Sequence, residues 1–362
     1  MLSDHAGTLP YGIYAYWYIG YGSGYDESEK RSVFLKGLPV SLFTNTSFEL
    51  YVFFGLISII AAIAFYQSKD QQGFAERYFV KRYFRFVLPV AGATLLTYFL
   101  NKAGLMGFDD IYRISGSLWN LSVKTADVSI PEAIYIAFVK CYFAGNTGIL
   151  TTLWCMDIIF IGSLLSIGFL AVMWNSKRRY AAYIICALFC IPFPRYTVFL
   201  MGIICGDLYV HLIRDTKISG VKRELTVAAL LLSSIVIGLI PSVYVKAPFT
   251  LEYTYSVATA LFICGIMLSS GIKRILSVRH LVSQTKYTFS ILLVQIPVQY
   301  GISQRIFRQA YLLTDQYALS FWITFIISCI ITHAVSIGFN HLFERTSEKI
   351  AEAVYRRSGA QQ

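Results

Sequence analysis

The stretch Glu76-Arg77-Tyr78-Phe79-Val80-Lys81-Arg82-Tyr83-Phe84-Arg85-Phe86-Val87-Leu88-Pro89 joins a dense basic and aromatic cluster directly to an apolar run. Read as a helix, it sets Arg77, Lys81 and Arg85 on one stripe at a spacing of four, with Arg82 beside them. Tyr78, Phe79, Tyr83 and Phe86 fill the remaining faces. This is the pattern of a helix lying at a membrane surface, with rings at the headgroup level and cations toward phosphate or solvent, before the chain turns into the bilayer.

Composition points the same way. Apolar residues make up 56% of the chain and charged residues 14%, against about 45–50% and about 25% in an ordinary soluble domain. The expected class is therefore an all-α, polytopic integral membrane helical bundle. A net charge of +11 would suggest a nucleic-acid partner in a soluble protein. Here the basic residues flank apolar spans as topology signals, so membrane lipids, and not nucleic acid, are the expected contact. Of the seven cysteines only Cys141 lies outside an apolar run, and none has CxxC spacing. They read as small core residues and imply neither a disulfide framework nor a metal site.

Residues 1–47 carry neither a signal-peptide pattern nor the roughly 20 apolar residues that a crossing needs. Spans are expected at about 48–67, 86–105, 150–174, 179–194, 196–213, 224–245, 253–272, 286–304 and 319–343, about nine in all. The fourth of these is short and interrupted by Pro192 and Pro194, which predicts a kink or partial insertion. A polar segment, 106–149, is expected to pack as a loop with one amphipathic helix near Pro131 to Phe143. The organisation is then an extracytoplasmic segment 1–47, a transmembrane domain 48–343 and a cytoplasmic tail 344–362.

Loop charge gives the orientation. With the basic helix placed in the cytoplasm, 20 of the 31 Lys and Arg residues fall on its side, although the opposite side has the longer loops. The positive-inside tendency then puts the C-terminus in the cytoplasm and residues 1–47 outside. An external N-terminus without a preceding span predicts a helix in front of Met1.

Several segments, in order along the chain, resemble acyltransferase family 3 membrane proteins. Leu35-Lys36-Gly37-Leu38-Pro39, Thr44-Asn45-Thr46-Ser47-Phe48 and Phe53-Phe54-Gly55-Leu56-Ile57-Ser58 are similar to the approach to that family's second helix. Lys81-Arg82-Tyr83-Phe84-Arg85-Phe86-Val87-Leu88-Pro89 resembles its basic stretch. Leu153-Trp154-Cys155-Met156-Asp157 through Gly162-Ser163, then Phe199-Leu200-Met201-Gly202-Ile203-Ile204-Cys205-Gly206-Asp207, resemble two later helices. Lys286-Tyr287-Thr288-Phe289-Ser290-Ile291-Leu292-Leu293-Val294-Gln295-Ile296-Pro297 and Phe343-Glu344-Arg345 match its terminal region.

The resemblance implies a membrane O-acyltransferase of the bacterial cytoplasmic membrane, moving an acyl group, commonly acetyl, onto a hydroxyl of an envelope or exported carbohydrate. The donor substrate would be acetyl-CoA or another acyl-CoA, with no permanently bound cofactor; the acceptor would be a carbohydrate or lipid-linked glycan. His5 falls near the family's histidine, whereas the family's accompanying arginine has no counterpart here. A sugar hydroxyl is a poor nucleophile near neutrality, so a histidine base at His5 suits the reaction. Asp157 lies about two turns inside its span with Trp154 on the same face, and an ionisable residue there is a functional candidate. Asp157 joins His5 as a catalytic candidate, and Asn45 and Trp154 are expected to contact the acceptor.

Arg77, Lys81, Arg82 and Arg85 could hold the phosphates of CoA through charge-assisted contacts or could bind lipid headgroups. Asp207 and His211, one turn apart near a helix end, read as boundary or capping residues. A non-catalytic carrier or channel, or an inactive family member, is the competing class, favoured by the missing arginine and by Gln295 where the family often has histidine.

Overall fold

A computed structural model describes residues 46–107, 125–145, 148–213, 220–239 and 248–359, and no strand occurs among them. The helices that matter below are α1 (Thr46–Gln67), α2 (Gln71–Lys102), α3 (Ile130–Tyr135), α4 (Met156–Met173), α5 (Arg179–Cys190), α6 (Thr197–Leu208) and α7 (Val221–Leu239). They continue as α8 (Pro248–Leu268), α9 (Ser270–Leu276), α10 (Arg279–Gln284), α11 (Thr288–Val298), α12 (Gln304–Thr314), α13 (Tyr317–Phe339) and α14 (Arg345–Gly359). The protein is an all-α integral membrane protein. Among the described residues, five helical stretches are long and apolar enough to cross a bilayer unaided: Phe48–Gln67, Gln71–Lys102, Thr151–Met173, Leu251–Leu268 and Leu319–Arg357. Of the other expected spans, 224–245 holds the single 19-residue α7 as far as Leu239, and the remaining three are short or assembled from shorter pieces. α5 has 12 residues and stops before Pro192 and Pro194, α6 runs on through the π turn Tyr209–Ile213, and α11 and α12 are joined by the π turn Gln299–Ser303.

The basic stretch differs from its expected geometry. No turn separates a surface helix from the following span; both belong to the 32-residue α2, with Pro89 inside it. Proline costs an interior helix one hydrogen bond and crowds the preceding turn. Other backbone bonds continue on both sides, and in hydrocarbon a helix is the conformation that satisfies them. The polar segment does carry its amphipathic helix. Ser129 caps the N-terminus by accepting from the Glu132 amide at 3.4 Å, and α3 leads through the π turn Ile136–Lys140 into Cys141–Phe143.

The described chain forms two compact units, 46–82 with 158–283, and 83–157 with 284–359. In the first, α1, α6, α7 and α8 pack together through small residues. Ser58 on α1 donates to Phe199 O at 3.0 Å and lies against Gly202 of α6, while Gly206, one turn later, faces Ala62. Gly55 meets Thr259 and Ile263 of α8, and Ser234 of α7 donates to Ala258 O at 2.7 Å. Lipid supplies no hydrophobic drive between helices, so close backbone approach and buried hydroxyl bonds carry this packing.

In the second unit the later half of α2 packs on the C-terminal helices. Gly92 faces the Phe343 ring, Ser347 donates to Phe84 O, and Phe86 meets Phe289 with ring centroids 5.2 Å apart. Asn340 donates to Lys286 O at 2.9 Å, and Ser290 donates to the Glu344 carboxylate.

Candidate active site

Asp157 occupies the first turn of α4, where the 3-10 turn Thr151–Cys155 gives way to the α-helix. Trp154 sits three residues earlier and is half-buried, so the two side chains share one local face. The loop residue Gly145 backs the carboxylate. Its φ of +56° is a left-handed conformation that favours glycine, and an added Cβ would lie 2.9 Å from Asp157 Oδ2. Both facts fix glycine at this point.

The segment 141–143 packs beside this turn. Cys141 and Tyr142 are fully buried, and Tyr83 of α2 reaches the same segment, with its hydroxyl donating to Phe138 O at 2.7 Å and its ring 5.5 Å from that of Tyr142. Burial pushes the Cys141 thiol up to about 12, and the Asp157 charge adds in the same direction. Burial thus disfavours the Cys141 thiolate. The Tyr142 phenol is raised as well, chiefly by burial.

The cations of α2 have separate environments. Arg82 donates through Nε to the buried Ser163 hydroxyl of α4 at 2.8 Å, and its guanidinium lies 5.1 Å from the Tyr78 ring centroid. It is turned toward protein. Arg85 lies 3.0 Å from Glu348 of α14, both side chains being more than half exposed. Such a surface pair is worth about 0–1 kcal/mol, so an incoming phosphate could displace the carboxylate at little cost. Arg77 is exposed and Lys81 half-buried, on the turns of α2 before Arg85.

The structure thus brings Trp154 and Asp157 together on one turn and keeps Arg77, Lys81 and Arg85 on a stripe of one continuous helix, with Arg82 directed elsewhere. His5 and Asn45 lie outside the described residues. His333, within α13, packs edge-on against Tyr287, with centroids 5.7 Å apart. Gln295 is buried in α11.

One cluster holds more than its sequence pattern implies. Asp207, at the end of α6 and 3% exposed, accepts from the Tyr183 hydroxyl at 3.0 Å and pairs with Arg179 of α5 at 3.3 Å. His211 Nδ1 lies 2.8 Å from its Oδ1 and 3.0 Å from its carbonyl oxygen, and the His211 ring stands edge-on to Tyr66 of α1. Asp207 lies near the end of α6, and its carboxylate joins α6 to α5. The signal in the sequence is a carboxylate within an apolar run together with a basic run, Lys177-Arg178-Arg179, at the same end of the neighbouring helix.

A family model described as an acyltransferase domain matches residues 18–341. No curated protein sequence matches the chain, and no solved structure does.

Proposed function

The chain belongs to acyltransferase family 3, and on that footing we propose that this membrane acyltransferase is an O-acyltransferase using acyl-CoA, preferably acetyl-CoA, at its cytoplasmic face. The acceptor is a hydroxyl of a cell-envelope or exported carbohydrate, free or lipid-linked. The membrane is the bacterial cytoplasmic membrane, with the C-terminus inside.

The observation that carries this reading is the unbroken α2, whose basic stripe runs directly into a membrane-spanning stretch. A helix of that kind can hold the phosphates of CoA at the membrane surface while the thioester points along the protein. Arg77, Lys81 and Arg85 supply the charge, and the weak Arg85–Glu348 pair leaves a guanidinium ready for bidentate contact. Arg82, turned onto Ser163, stands apart from this contact.

In the reaction the acceptor oxygen attacks the thioester carbonyl, a C–O bond forms, and the C–S bond breaks. The hydroxyl proton passes to a base, and CoA leaves as a thiolate that is then protonated. His5 is the proposed base. Asp157, close against Gly145, orients that base or the hydroxyl, and Trp154 with Asn45 presents a surface to the sugar.

The test compares envelope-glycan O-acetylation in cells with and without this protein, alongside His5→Ala, Arg85→Ala and Asp157→Asn. Loss of the modification on deletion, and its strong reduction in the three variants at normal membrane levels, is expected. Unchanged acetylation on deletion overturns the enzymatic reading; wild-type levels in all three variants overturn the residue assignments.

A further inference from the structure

Within the first unit, α4, α5 and α6 enclose a half-open cavity of about 350 Å³. Its walls include Leu165 and Phe169 of α4, Cys186 and Phe189 of α5, and Phe199 and Leu200 of α6. The one hydroxyl of α4 on this wall, that of Ser166, donates to Gly162 O at 2.8 Å, so its proton is already committed. Hydrocarbon, and not a polar group, is the complement of such a wall.

The early end of α5 shapes the cavity. After Cys190 the chain bends into the 3-10 turn Pro194–Tyr196, and Phe193 and Tyr196 close one end. The bend is tied down from α8, where the Tyr253 hydroxyl donates to Ile191 O at 2.6 Å and reaches Cys190 O at 3.1 Å. That turn also carries Arg195, whose Nε lies 3.2 Å from Glu252 and whose side chain is 40% exposed. The rim is open and apolar: Leu165 is 58%, Phe189 69% and Phe193 61% exposed. On an integral membrane protein such a rim faces lipid.

The geometry points to a lipid-binding site, in which one hydrocarbon tail of a phosphate-headed membrane lipid fills the cavity and the lipid phosphate meets Arg195. A single tail suits the space, which is near the lower end of the ~300–1,000 Å³ typical of small-molecule pockets. Charge selects the headgroup. Glu252 engages the guanidinium through Nε, and a fork with five donors can take a phosphate in addition. Loop charge puts Arg195 on the extracytoplasmic side, so the lipid belongs to the outer leaflet. The inference needs only the membrane placement of α4, α5 and α6 and is independent of acyl transfer.

Photolabelling of the purified full-length protein in lipid nanodiscs tests it. The probes are a phosphatidic acid bearing a diazirine at one chain end and the matching diacylglycerol without phosphate, with labelled peptides mapped by mass spectrometry. The internal control is α7, whose Leu225 and Leu232 are as exposed, at 64% and 62%, as the rim residues. Several-fold enrichment of the phosphatidic acid probe on peptides of α4 and α5 over α7 is expected. Cys186→Trp, which fills the cavity, should abolish the enrichment, and Arg195→Gln, which leaves the lining untouched, should reduce it toward the diacylglycerol level. Equal labelling of α5 and α7, or enrichment that survives Cys186→Trp in a protein of unchanged melting temperature, overturns the site. Equal enrichment of both probes, unaffected by Arg195→Gln, overturns the phosphate assignment.

Discussion

Asp207 holds two helices together in this chain, whereas Asp157 is the proposed site carboxylate. The Asp207 carboxylate is 3% exposed and has Arg179, Tyr183 and His211 around it. Removing one partner from a buried ion pair typically costs about 3–5 kcal/mol, because the other charge is left behind. Asp207→Ala should therefore lower unfolding stability in detergent by about 3 kcal/mol, the lower end of that range, because Arg179 and His211 retain access to solvent. Asp157→Asn should change stability little and activity greatly. Gly145 links the two properties: its φ of +56° makes Gly145→Ala cost about 1–2 kcal/mol in backbone strain. The new Cβ would also push on Asp157, so activity should fall further than stability. Thermal unfolding and acyl-transfer assays on the same preparations separate these effects. A fall in activity that only tracks unfolding for both Asp157→Asn and Gly145→Ala would remove Asp157 from the site.

At the scale of elements, helix packing and helix continuity matter most. The α1–α6 seam depends on Gly202 and Gly206, which lie against Ser58 and Ala62. Gly202→Leu should force the helices apart and cost about 1–3 kcal/mol, the usual range for overpacking. The same change at Gly338, which has no neighbour within contact distance of an added Cβ, should be nearly silent in the same unfolding measurement. The basic stripe of α2 was legible in the sequence because spacing by four is a property of the helix alone. The unbroken passage of α2 into its span was not, since a basic aromatic stretch fits a surface helix as well as the end of a long one. The Arg82–Ser163 bond joins residues 81 positions apart and leaves no trace in local pattern. By contrast, Trp154 and Asp157 could be paired from sequence because their proximity is a matter of one turn. Arg85→Gln removes an exposed pair with Glu348 and should change stability by less than about 1 kcal/mol. A marked loss of acetyl-CoA binding in that variant is expected, and unchanged binding would assign Arg85 to topology or lipid contact.

For the molecule as a whole, composition pointed to the class, since 56% apolar and 14% charged residues stand well outside the averages of soluble domains. The number of crossings was harder to read, because α5, α6 and α11 are shorter than a full span and extend through bends or π turns. Charge asymmetry predicts that a reporter fused after Gln362 is active on the cytoplasmic side of the membrane. Activity on the opposite side would invert the orientation and place the α2 cations away from cytoplasmic acyl-CoA. The central claim joins these scales: an acyl group passes from a donor held by α2 to a carbohydrate hydroxyl, with Asp157 required. The most direct measurement is transfer of radiolabelled acetyl from acetyl-CoA to envelope carbohydrate in inside-out membrane vesicles, comparing the wild-type chain with Asp157→Asn and with vesicles lacking the protein. Label in alkali-labile ester linkage to carbohydrate is expected for the wild type and near-background label in the other two. Equal incorporation in all three would contradict it.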